Sequence, residues 1–165
     1  MNIALGSDHA GFAYKEDLKA HLAALGHTVR DFGAFGPASS DYPDFAVPVA
    51  RAVAAGEADR GVLICGTGIG MSISANKVPG VRAAVLSDPT STRLSRSHND
   101  ANVACFGSRT QRLEDVKTLL ALWLGTAFEG GRHASRVDKI RAIEPTAAGD
   151  GCPGRTVNGG TCTEA

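Results

Sequence analysis

Two kinds of apolar pattern alternate along most of this chain. Short apolar runs mark strands, and stretches with apolar residues three or four positions apart mark helices. Ile3-Ala4-Leu5-Gly6-Ser7 reads as a first strand. Phe12 to Leu25 reads as a helix, with Leu18, Leu22 and Leu25 on one face and Gly26 as its stop. Thr28 to Phe32 is a second strand, and Gly33 to Pro43 a loop rich in Gly, Pro, Ser and Asp. Asp44 is placed to cap a helix running to about Ala55. Val62-Leu63-Ile64 is a continuous apolar run, as expected of a strand covered on both faces. Gly66, Gly68 and Gly70 form a turn, after which Ile69, Met71, Ile73 and Ala75 can enter a helix. Val81 to Leu86 is a fourth strand and Thr90 to Ser97 a helix, whose preceding Pro89 is tolerated in a first turn. Val103 to Phe106 is a fifth strand. Leu113, Val116, Leu120 and Trp123 mark a helix over Arg112 to Leu124, Gly130-Gly131 breaks the chain, and a last helix spans about His133 to Ala142.

Five strands separated by helices imply an α/β domain, a mostly parallel five-stranded sheet with helices on both faces. Ligands in such sheets bind beyond the carboxyl ends of the strands. Asp8 and His9 follow the first strand and Cys65 to Gly70 the third, so both loops can line one cleft. The pattern stops near Glu144. Residues 145–165 are rich in Gly, Thr and Pro with almost no aliphatic side chains, and are expected to be a disordered tail on a domain of residues 1–144.

Composition narrows the functional classes. Lys plus Arg and Asp plus Glu both number 17, so the formal net charge is zero. That disfavours a nucleic-acid partner or a membrane-surface role. No apolar run approaches a membrane span, and no basic segment followed by an apolar run opens the chain, so a cytoplasmic location is expected. The four cysteines, at 65, 105, 152 and 162, include no Cys-x-x-Cys pair, and no metal site is expected. Cys65 and Cys105 read as free thiols, as do Cys152 and Cys162 in the tail.

The stretch Cys65-Gly66-Thr67-Gly68-Ile69-Gly70-Met71 carries the sharpest chemistry. Glycines let the backbone approach a ligand closely, and a helix start leaves N–H groups free for an anion. The spacing is not the dinucleotide Gly-x-Gly-x-x-Gly, and no Gly-Lys-Ser/Thr follows. A thiol-phosphatase loop needs arginine where Met71 stands. From chemistry alone Cys65 is as readily a small buried apolar residue as a reactive thiol.

Six motifs then occur in order: Gly6-Ser7-Asp8-His9-Ala10-Gly11-Phe12, Asp41-Tyr42-Pro43-Asp44, Cys65-Gly66-Thr67-Gly68-Ile69-Gly70-Met71-Ser72, Ala75-Asn76-Lys77, His98-Asn99-Asp100-Ala101-Asn102 and Phe128-Glu129-Gly130-Gly131-Arg132-His133. Together they resemble the type B ribose-5-phosphate isomerases, a family that includes galactose-6-phosphate and allose-6-phosphate isomerases. The resemblance covers about residues 2–144. It implies a Rossmann-like three-layer sandwich, a homodimer or tetramer with active sites shared between subunits, and no cofactor or metal requirement.

The resemblance also implies roles. The reaction would interconvert ribose 5-phosphate and ribulose 5-phosphate through a cis-enediolate. Cys65 would be the base at carbon. Family members without this cysteine use a glutamate at the position of Met71, which cannot serve here. N–H groups from Gly66, Gly68 and Gly70 would hold the developing oxyanion, and Thr67 would relay or hold the proton between O1 and O2. His98 would open the sugar ring and Asn99 hold a sugar oxygen. His9, Arg109, Arg132 and Arg136 would bind phosphate, while Asp8 and Tyr42 would contact sugar hydroxyls or orient His98. Alternatives are a six-carbon sugar phosphate, an unphosphorylated aldose, or a non-catalytic sugar-phosphate or nucleotide-binding module.

Overall fold

A computed structural model describes residues 1–145. The expected tail and the thiols Cys152 and Cys162 lie outside the described residues. Strands β1 (Asn2–Ser7), β2 (Thr28–Asp31), β3 (Arg60–Cys65), β4 (Ala83–Val85) and β5 (Val103–Gly107) form one sheet in the order β2-β1-β3-β5-β4. Every pairing is parallel. Helices α1 (Phe12–Ala24), α2 (Pro43–Ala54), α3 (Ile69–Ala75), α4 (Pro89–Ser97), α5 (Leu113–Leu124) and α6 (Arg132–Arg141) complete the chain.

Period-two alternation in the buried strands assigns each helix its face. Ala4, Leu63, Cys65, Val103 and Cys105 point to one side, where α2 and α3 bring Ala46, Val49, Ala50, Val53, Met71 and Ala75. Ile3, Leu5, Val62, Ile64, Ala104 and Phe106 point to the other, against Leu18 and Leu22 of α1 and Val116, Leu120 and Trp123 of α5. Both faces of β1, β3 and β5 are covered because those strands carry apolar or small residues at consecutive positions.

Local chemistry moves some boundaries. The α2 helix starts at Pro43, whose ring presets the helical φ, so its cap position falls on Tyr42 and Asp44 lies in the first turn instead of capping it. For α4 the proline expectation holds: Pro89 opens the helix behind Asp88, whose Oδ1 accepts the N–H groups of Thr90 and Ser91 at 2.9 Å each. The β4 ladder is shorter than the apolar run, because the N–H of Arg82 donates to Asn102 Oδ1 (2.8 Å). A fully buried lysine, Lys15 on α1, donates to Asp31 at the end of β2 (2.5 Å). Asp31 also accepts the N–H of Gly33 (2.9 Å), which anchors the loop leading to Ser40 and Tyr42.

The chain leaves β1 in one direction for β2 and the other for β3, so a topological switch point lies between β1 and β3. Asp8 and Cys65 stand at the carboxyl ends of those two strands. Each helix after a strand runs back across the sheet. The turn after α4 therefore lies at the amino-terminal edge, where Asn102 O accepts the N–H of Gly61 at the foot of β3 (2.9 Å).

Candidate active site

At the switch point the loops after β1 and β3 meet, with the N–H of Asp8 donating to Ile64 O (3.2 Å). Asp8 is buried and its carboxylate accepts the N–H of Gly11 (3.0 Å). His9 is clamped from the 33–42 loop: its N–H donates to Ser40 Oγ (3.1 Å), and its ring Nδ1 lies 3.1 Å from Ser40 O. That engages Nδ1 and leaves Nε2 for a ligand. Ser40 had no distinguishing sequence signal beyond its place in a polar loop.

Cys65 is 5% exposed, and its Sγ accepts the N–H of Gly68 at 3.1 Å. That N–H fixes the sulfur at the mouth of the glycine loop. Gly68 has φ +77°, and a Cβ there would meet the Phe106 backbone at 3.0–3.1 Å, so any side chain at this position would be strained. At Gly70 a Cβ would meet the Tyr42 ring at 2.8 Å, which places Tyr42 against the loop. Among the described residues the N–H groups of Gly66, Thr67, Gly70 and Met71 have no protein acceptor. They form an open donor set beside the thiol, suited to an oxyanion. Thr67 is exposed at the rim, with its hydroxyl 3.3 Å from the N–H of Ile69. The Arg109 N–H donates to Gly66 O (2.9 Å), and its side chain packs over Gly66. Cys105 lies in the same core cluster, but burial, with Cys65 nearby, pushes that thiol well up and leaves it inert.

His98, Asn99, Arg132 and Arg136 are not here. They form a second cluster at the amino-terminal edge of the sheet. From Gly61 to Cys65 the strand rises about 13 Å, so Cys65 and His98 of one chain are held at opposite ends of β3. In this cluster the rings of His98 and His133 stack at 3.9 Å with planes 9° apart. Glu129 Oε2 lies 3.8 Å from Nε2 of His98 and 3.9 Å from Nε2 of His133. Burial, then the neighbouring His98, Arg132 and Arg136, hold His133 below its ordinary value. Arg132 and Arg136 are exposed one turn apart at the start of α6. His133 and Glu129 sit inside a quoted motif, yet spacing alone gave them no role.

Sequence spacing offered no metal ligands, but the fold gathers one set: His98, Glu129 and His133 each bring a ligand atom within 4.8 Å of the others. The two imidazole planes are parallel, so their in-plane lone pairs run side by side instead of converging on one ion, as a tetrahedral site needs. Turnover is therefore expected to survive excess chelator. Loss of activity restored by a divalent ion would defeat this.

A buried thiol beside open N–H donors lies on the switch point of a doubly wound sheet, an arrangement suited to proton transfer next to an oxyanion. The chain belongs to the ribose/galactose isomerase family, whose model matches residues 3–140. It is 54% identical to the ribose-5-phosphate isomerase B of Escherichia coli over 142 residues, 86% of this chain and 95% of that protein. Its fold matches the ribose-5-phosphate isomerase B of Clostridium thermocellum with a TM-score of 0.86 at 50% identity, over 87% of this chain and 97% of that one. The Mycoplasma genitalium ribose-5-phosphate isomerase B with bound ribulose-5-phosphate matches with a TM-score of 0.83 at 41% identity, over 86% and 95%. The family and the five-stranded α/β fold agree with the sequence resemblance, and the sheet is wholly instead of mostly parallel. Among the described residues no helix is long and apolar enough to cross a membrane.

Proposed function

We propose that this enzyme interconverts ribose 5-phosphate and ribulose 5-phosphate, with Cys65 as the base at carbon. The observation that carries the reading is the Cys65 sulfur, held by the Gly68 N–H and flanked by open donors. The thiolate takes the proton from C2 of the open-chain aldose, and the enediolate so formed is held by the N–H groups of Gly66, Thr67, Gly70 and Met71. Return of the proton to C1 and loss of the O2 proton give the ketose. Thr67 at the rim moves or holds the proton between O1 and O2. Met71 is buried in the same cluster as Cys65 and offers no carboxylate, which supports the thiol as sole base.

The separation of the two clusters supports a homodimer with shared sites. Asp8, His9, Tyr42, Cys65 and Arg109 of one copy would face His98, Asn99, Arg132 and Arg136 of another. Ile69 and Ile73 of α3 are 56% and 57% exposed, on one helix face beside the Cys65 loop, and suit burial against that copy. In the assembled site His98 opens the ring, Asp8 and Tyr42 meet sugar hydroxyls, and the three arginines with His9 hold phosphate. A buried free thiol as base suits a reducing compartment, the cytoplasm.

Turnover of a panel of aldoses, each with and without phosphate, tests the substrate. Ribose 5-phosphate should lead, and a preference for free sugars or six-carbon phosphates would replace it. The catalytic unit is residues 1–144, ending where Glu144 Oε1 accepts the N–H of Gly80 (2.9 Å). Truncation after Glu144 should leave melting temperature and turnover unchanged, and a large drop in either would assign the remainder a structural role.

A further inference from the structure

Asp100 is the one non-glycine residue with positive φ (+49°) among the described residues. L-residues enter that region at a cost, and it persists only when surroundings impose it. Here two arginines do so. Asp100 Oδ2 accepts from Arg82 Nη2 (2.8 Å) and Oδ1 from Arg96 Nη1 (2.7 Å). The same guanidiniums hold the turn's carbonyls. Arg82 Nε donates to Asn99 O (3.1 Å) and Arg82 Nη2 to Asp100 O (2.7 Å), while Arg96 Nη1 donates to Ala101 O (2.7 Å). The Arg96 side chain is 4% exposed and that of Arg82 12%.

Three consecutive carbonyls, 99 to 101, are thus fixed by two cations that would repel each other without the carboxylate between them. The residues directly before this knot are His98 and Asn99, and the His98 N–H is tied back to Leu94 O (2.9 Å). The Asp100 carboxylate is occupied by both guanidiniums, so it is not a group that meets substrate.

We propose that Asp100 is a positioning residue for isomerisation: by bridging Arg82 and Arg96 it holds His98 and Asn99 in the geometry that ring opening requires. This rests on the assignment of ring opening to His98. The Cys65 step does not depend on it, and the two are separable. Ribulose 5-phosphate carries phosphate on O5 and cannot close a five-membered ring, so removal of its C1 proton needs no ring opening. In deuterium oxide the thiolate takes that proton, the thiol exchanges with solvent, and deuterium appears at C1.

The test uses full-length Asp100→Asn, which keeps shape and tolerance of positive φ but loses the charge, and Asp100→Gly, which removes the backbone cost as well. Both should lower ribose 5-phosphate turnover about tenfold or more and leave C1 exchange within about twofold of the parent. His98→Ala should show the same selective loss, and adding Asp100→Asn to it should cost less than about twofold more, since the two act as one unit. An equal fall in exchange and turnover, or no fall in turnover, overturns the inference. If His98→Ala shows the selective loss and the Asp100 variants do not, this inference alone fails. If His98→Ala itself keeps full turnover, the ring-opening assignment fails and takes this inference with it.

Discussion

Cys65→Ala is expected to abolish isomerisation while leaving sugar-phosphate binding largely intact. A positioned general base contributes about 10²–10⁴-fold to a rate, and the neighbours of Cys65 in its core cluster offer no replacement. Met71 is fully buried beside it without a titratable group, and Cys105, although in the same cluster, is held protonated by burial. The proposed binding groups are elsewhere: the N–H donors belong to the backbone, and His9, Arg109, Arg132 and Arg136 are on other loops and helices. Turnover of ribose 5-phosphate should therefore fall by about 10²–10⁴-fold, while calorimetry should still register ribulose 5-phosphate. Cys65 is small and at a strand end, so the melting temperature should move little. Near-normal turnover in the variant would remove Cys65 as the base.

Legibility of the fold followed its burial. The strands β3 and β5 are covered on both faces, so their consecutive apolar residues mark them without ambiguity. The ends were set by groups that no periodicity reports. Arg82 gives its N–H to the Asn102 side chain and so leaves the β4 ladder, and Pro43 starts α2 ahead of the acidic residue that seemed its cap. The same division holds in the site. The Cys65 loop is contiguous, and its glycines are there because a Cβ would strike the Phe106 backbone or the Tyr42 ring, a constraint visible as composition. The His98–His133 pair is not contiguous. It exists because the turn after α4 meets the start of α6, and only the resemblance, not the spacing, pointed to that turn. Ser40, Asp100 and the buried Lys15 were invisible for the same reason: each acts through a partner distant in sequence.

Arg136→Ala is expected to damage turnover of ribose 5-phosphate strongly and that of free ribose little. Arg132 and Arg136 lie one turn apart on the exposed side of α6, a spacing that lets two guanidinium forks reach one ligand. Forks of this kind match phosphate oxygens bidentately. In the proposed shared-site dimer, Arg109 and His9, at the opposite edge of the sheet, would complete the ring of charge when a second copy brought its α6 to the switch point. Phosphate is remote from C1 and C2. Its binding energy therefore serves to hold the open chain against the Cys65 sulfur, and its loss should appear in turnover and not in affinity alone. A charge-assisted hydrogen bond contributes about 1.5–3 kcal/mol, which corresponds to a fall of about 10- to 150-fold in kcat/KM for ribose 5-phosphate. Free ribose never engaged the site, so its slow turnover should stay within about twofold. An equal loss on both substrates would make Arg136 a structural residue of α6. Mixing Arg136→Ala with Cys65→Ala chains extends the test. In a shared site each mixed dimer pairs one doubly damaged site with one intact site, so co-refolding two nearly inactive variants should restore measurable activity. Two inactive proteins that stay inactive on mixing, despite exchanging subunits, would place the whole site within a single chain.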